Sequence, residues 1–141
     1  MIRSYFVLIT TFSAIMTFVS LQNVVLAQEQ EYQPTVQSTT HVEETLPGDD
    51  SKTVIIREFT FPPGYEGGQH YHPGAVYVYV LEGELTINVD GRGAEKVSAG
   101  QLYQEPLGRT MSARNTSTTD TTRILVYQVG ETGKPMMIEV N

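Results

Sequence analysis

Cysteine is absent from the 141-residue chain. That excludes a disulfide, a thiolate metal ligand, a cysteine nucleophile and a lipid anchor through cysteine. Helical spacing is missing as well, since no stretch of ten or more residues repeats apolar side chains at intervals of three and four. Basic clusters are the third absence. Nine Lys and Arg stand against sixteen Asp and Glu, for a net charge of −7. With no basic patch, neither nucleic acid nor an anionic membrane is an expected partner.

What is present begins with a leader. MIRSYFVLITTFSAIMTFVSLQNVVLAQEQ has a basic residue at Arg3, an apolar run from Tyr5 to Val19, and the ending Val25-Leu26-Ala27. This is the pattern of a signal peptide cleaved after small residues. Residues 1–27 are therefore expected to be removed, leaving 141 − 27 = 114 residues that start at Gln28. The competing reading is an uncleaved anchor. A spanning helix wants roughly 20 predominantly apolar residues, and Thr10, Thr11, Ser13, Thr17 and Ser20 interrupt this run. The expected location is secreted or periplasmic, without membrane association after cleavage. The remainder suits one domain with a modest core. Small exported domains often rely on disulfides, so this one must be held by its core, by a metal or by a second subunit.

Residues 28–52 read as a polar N-terminal segment, partly disordered, with a short strand around Thr39 to Leu46 and a turn at Leu46-Pro47-Gly48-Asp49. His41 in this segment reads as an exposed histidine. From Thr53 onward every segment reads as strand. TVIIREFTF stops at Pro62-Pro63-Gly64, AVYVYVLEG stops at Gly83, and ELTINVDGR alternates cleanly before a tight Asp90-Gly91 turn. AEKV, QLYQE, TMSARN and RILVYQV follow. Short strands at intervals of 8–12 residues predict an all-β barrel or sandwich over residues 53–141.

Two spaced motifs sharpen this expectation. Gly64 is followed five residues later by His70-Tyr71-His72, and Gly83 closes that stretch; Gly100, Pro106, Gly108 and Asn115 then fall at fixed intervals. In these positions the chain resembles the cupin family over nearly all of Thr53 to Val140. The resemblance implies a single-domain jelly-roll barrel, also called a double-stranded β-helix. It also implies a divalent metal held by two motif-1 histidines, a motif-1 glutamate and a motif-2 histidine. This chain departs twice, because Val76 stands at the glutamate position and Met111 at the second-motif histidine. Glu105, next to Pro106, is the candidate replacement. His70, His72 and Glu105 would then form a two-histidine, one-carboxylate set, suited to iron and compatible with manganese, nickel or zinc.

The expected pocket lining is Val76, Met111 and Tyr103. In the alternation around Val76, Val78 and Val80, the valines are expected to face inward and Tyr77 and Tyr79 outward, a face suited to a homodimer. Gln69 and Gln104 are expected to point away from the site. Arg109 reads as a surface cation, and Asn115 as the closing residue of motif 2. No general base stands out, with Tyr103 and Tyr127 the candidates. Two functions stay open: a metal-dependent enzyme (oxygenase, isomerase or lyase) acting on a small organic molecule, and a metal-free, non-catalytic small-molecule binder. A pure scaffold ranks third, since nothing but the tyrosine face supports it.

Overall fold

Period-two alternation sets the architecture. The computed structural model describes residues 34–140, which form strands and connecting turns. The expected signal peptide at residues 1–27 lies outside the described residues. In chain order the strands are β1 Gln37–Leu46, β2 Asp49–Phe61, β3 His70–Tyr71, β4 Ala75–Glu82, β5 Glu84–Val89, β6 Gly93–Ser98, β7 Leu102–Glu105, β8 Met111–Arg114, β9 Thr122–Glu131 and β10 Ile138–Glu139. They make two five-stranded sheets, ordered β1-β2-β9-β4-β7 and β10-β3-β8-β5-β6. The chain is all-β, as the strand pattern predicts.

The core lies between the sheets. Val76, Val78 and Val80 of β4 and Ile124 and Val126 of β9 pack with Leu85, Ile87 and Val89 of β5, along with Phe61, Val97 and Met111. Burial of each such side chain contributes about 1.5–3 kcal/mol. On β4 the intervening Tyr77 is half-buried and Tyr79 is exposed, so the tyrosines do face outward. Tyr77 lies against Tyr127 of β9, with ring centroids 6.4 Å apart.

The hairpin between β5 and β6 turns at Asp90 to Arg92, where Arg92 N–H donates to the Val89 carbonyl at 2.9 Å. Gly91 takes φ 74° there, a left-handed conformation that costs glycine nothing. Asn115 fixes the opposite end of the molecule. Buried and 2 % exposed, it points its Nδ2 at the carbonyls of Phe61, Pro62 and Asp120, at 3.1, 3.1 and 2.7 Å. Its Oδ1 accepts from Ser117 N–H at 3.0 Å.

The polar segment before Thr53 holds more strand than its composition suggests. β1 spans ten residues, and β2 already starts at Asp49. The physical reason is position. β1 is the outer strand of its sheet and nearly all its side chains are exposed, so a polar sequence loses little there, while pairing with β2 satisfies its backbone. His41 is exposed, as expected, and sits in the irregular register between Thr40 and Val42.

Candidate metal centre and cavity

Cross-strand register sets Glu105 directly opposite Val76. Residues directly opposite on antiparallel strands share a face. Val76 pairs with Glu105 on one side and with Gln128 on the other; Gln128 pairs with Ile55, and Ile55 with Glu43. All five line one cavity of about 590 Å³. A carboxylate from the neighbouring strand thus reaches the space in front of Val76. The volume falls within the usual range of small-molecule sites.

The histidines come from the other sheet. His70 and His72 are two residues apart, so they project to one side. Their rings meet edge to face, with centroids 5.0 Å apart. His70 Nδ1 lies 3.0 Å from the Gly68 carbonyl oxygen, and His72 Nδ1 lies 2.7 Å from that of Met136. A carbonyl oxygen can only accept, so each Nδ1 carries the proton and each Nε2 keeps its lone pair. The buried Gln128 carboxamide lies 3.1 Å from His72 Nδ1; because that nitrogen donates to Met136, the carboxamide braces the ring with its oxygen, which accepts, rather than with its nitrogen.

His72 Nε2 faces Glu105 Oε2 at 3.1 Å, and the two side chains are 8 % and 9 % exposed. With the His72 proton on Nδ1, an ionised Glu105 Oε2 receives no hydrogen bond, and only a protonated Oε2 can donate across this gap. Nor is the contact an ordinary ion pair. Burial holds His72 below the usual histidine range, against the opposing pull of the Met136 carbonyl. Burial likewise pushes Glu105 up to about 7. Both groups are driven towards neutrality. Two lone-pair atoms facing each other in a dry site need something electropositive beside them, either a proton or a cation.

The donor set fits a cation. One ligand atom each from His70, His72 and Glu105 lies within 4.8 Å of the others. Nδ1 protons given to backbone carbonyls are the usual way of aiming Nε2 at a metal. Nitrogen and oxygen donors suit first-row divalent ions such as iron, manganese, nickel and zinc.

Other expected residues fall differently. Val76 lines the cavity, whereas Met111 and Tyr103 are not among its lining residues. Met111 pairs with His70 in register and is 1 % exposed, packed in the core cluster. Tyr103 packs against the same cluster, and burial raises its phenol above the usual tyrosine range. Tyr127 is exposed on the outer face. It alternates with Val126 and Gln128, which point inward, and so offers no base to the cavity. Gln69 and Gln104 are exposed, as expected. Two contributors escaped the sequence reading. Gln128 was detectable, since it continues the inward alternation of Ile124 and Val126. The Met136 carbonyl was not, because a backbone atom 64 positions away from His72 leaves no sequence trace.

Residues 57–127 match the Cupin domain family. The chain belongs to the cupin family. Its fold is that of the DMSP lyase DddQ from Ruegeria pomeroyi DSS-3, at a TM-score of 0.61 and 17% identity over 74% of this cupin. The match spans about half of DddQ, 51% of that chain. The polyketide cyclase RemF from Streptomyces resistomycificus aligns at 0.59 with 22% identity, covering 75% of this chain and 71% of RemF. A cupin domain from Bordetella pertussis aligns at 0.53 with 24% identity, covering 70% of this chain and 97% of that one. No curated protein sequence matches this cupin significantly.

Proposed function

We propose that this cupin holds a divalent cation through His70, His72 and Glu105 and acts as an enzyme on a small organic molecule bound in the cavity. The observation that carries the reading is the buried, donorless Glu105 Oε2 facing the lone pair of His72 Nε2. Leaving an unpaired carboxylate in such a place costs several kcal/mol, and a metal removes that cost. When bound, the ion supplies Lewis-acid polarisation of a substrate oxygen. The chain's own residues do the rest. Gln128 and the Met136 carbonyl fix the His72 ring, the Gly68 carbonyl fixes His70, and the apolar walls exclude water. Glu105, with its raised pKa, can hold a proton at Oε2 until metal displaces it. Neighbours named as a lyase and a cyclase support the enzyme reading; oxygenase, isomerase and lyase chemistries all remain within it.

A second reading is a metal-free, non-catalytic small-molecule binder. It is favoured by Val76 and Met111, apolar residues at two positions where cupin ligands stand. Metal analysis of the purified protein beside a His70→Ala/His72→Ala variant separates the two. Near-stoichiometric iron, manganese, nickel or zinc that vanishes in the variant supports the enzyme. Protein that neither carries nor takes up metal leaves the binder.

Export and pairing of copies belong to the same proposal. Arg3, the apolar run and Val25-Leu26-Ala27 support a leader cleaved after Ala27, which N-terminal sequencing of exported protein tests. The outward Tyr77, Tyr79 and Tyr127 support a homodimer, which sedimentation analysis tests.

A further inference from the structure

The cavity wall carries a cation, Arg57, among the apolar lining residues Ile55, Phe59 and Val126. Arg57 pairs with Val126, and Val126 with Val78, so Arg57 shares their inward face, one alternate row along from Glu105, Val76, Gln128 and Ile55. It lines the same cavity as the metal-ligand candidates. Its Nε donates to Thr40 Oγ1 at 2.9 Å, which fixes the plane of the guanidinium. The carboxylate near it is Glu43, at 3.9 Å from one terminal nitrogen, and that side chain is 59 % exposed. A contact this long and this wet leaves the planar fork able to take a better partner.

The position of Arg57 also fits the route into the site. β1 and β10 are the outer strands of their sheets, and no ladder joins them among the described residues. Glu43 from β1 and Glu139 from β10 both line the cavity, so the cavity reaches the gap between these strands. β2, which carries Arg57, lies next to that gap, while Glu105 stands three ladder steps away on β7. At about 4.8 Å per step, the two ends lie roughly 14 Å apart along the sheet, with apolar side chains between them. Lys134, from the turn after β9, adds a second positive charge to the lining.

We propose that Arg57 is the residue that reads the substrate's anionic group, and that the substrate class is a small organic acid with an apolar body. The carboxylate sits on the Arg57 fork near the gap, the apolar body lies along Val126, Val78 and Ile55, and the reacting end faces His70, His72 and Glu105. This rests on the reading of the cavity as a substrate site and adds the chemistry that site selects.

The test compares hexanoate with hexanamide, which match in shape and differ in charge, by titration calorimetry on zinc-loaded protein. The expected result is at least tenfold tighter binding of hexanoate, falling to less than twofold in Arg57→Gln and retained in Arg57→Lys. Arg57 is partly exposed, with a side chain 33 % accessible, so both variants should fold, and their unfolding midpoints check this. Equal binding of the two compounds, no binding of either, or a hexanoate preference that persists in Arg57→Gln each overturns the proposal. In the last case the His70→Ala/His72→Ala variant shows whether the metal holds the anion instead. Metal content, measured on the same samples, reports separately on the metal-site reading.

Discussion

The two halves of the candidate metal centre are held in opposite ways. Glu105 stands on β7, paired with β4 over four consecutive residues, and β4 is itself laddered to β9. Its direction is a consequence of sheet register. The histidines are carried on and just after β3, which makes one paired position with β8 and two with β10. Their direction depends on two backbone carbonyls, at Gly68 and Met136. A regular ladder places a ligand within a cooperative unit, whereas a short strand opens at much lower cost. The carboxylate is therefore the fixed point, and the histidines are the part that metal would order.

The largest effect should come from disturbing the connection between the two halves. Gly74 links His72 and Pro73 to β4, and a Cβ there would run into the Val129 carbonyl oxygen and come within 2.9 Å of Gly130 Cα. Both obstacles are backbone. Gly74→Ala should cost about 3 kcal/mol or more, read as a lowered denaturation midpoint. A stability within 1 kcal/mol of the parent would mean that the join is looser than described.

Removing the fixed charge tests the other half. In metal-free protein burial pushes the Glu105 carboxyl up to about 7, from 4.5 for an exposed glutamate. Between those values the folded state binds more protons than the unfolded state, so this group's contribution to stability falls as pH rises and levels off above 7. His72, with its lowered pKa, acts in the opposite sense below the usual histidine range, and both proteins share that effect. Metal-free Glu105→Gln should therefore match the parent at pH 4.5 and exceed it by about 3 kcal/mol at pH 8. The same variant should lose metal, while parental metal affinity rises with pH as Glu105 gives up its proton. An identical pH–stability curve for the two proteins would sink the idea of a buried, uncompensated carboxylate.

Gln128→Ala loosens His72 without removing a ligand and should weaken metal binding by about 10–100-fold, with Glu105→Gln binding weaker still. No change would show that the Met136 carbonyl alone holds the ring. The smallest effect on metal binding belongs to Met111→His. That side chain lies beside His70 in the ladder but is packed in the core rather than in the cavity wall, so a histidine there should leave metal affinity within about twofold of the parent, a change of under about 0.5 kcal/mol. Metal-free Met111→His should be less stable than the parent, because an imidazole without a partner would be buried in the core.

The fold was largely legible in the sequence because strand alternation is local. The valines and tyrosines of β4 could be assigned to opposite faces without coordinates. Glu105 was legible as a candidate through its place beside Pro106, and the register then set it directly opposite Val76. Three things were not legible. β1 was legible as a short strand from Thr39 to Leu46, but its start at Gln37 and the start of β2 at Asp49 were not, because a strand with both faces wet has no apolar period. Met111 and Tyr103 looked like lining because ladder position does not say whether a side chain ends in the cavity or beneath it. Arg57 sat within TVIIREFTF as one of two adjacent charges, beside Glu58, and only the pairing with Val126 turns it inward.

Asn115 carries one further consequence. Asn115-Thr116-Ser117 is an acceptor sequence for N-linked glycan, yet its amide nitrogen is turned inward to three backbone carbonyls and nearly sealed from solvent. A transferase can reach that nitrogen only before the barrel closes. A sugar attached then would occupy the place of the Phe61, Pro62 and Asp120 contacts. Production in a eukaryotic secretory host should therefore yield either unmodified folded protein or glycosylated protein that does not complete its fold.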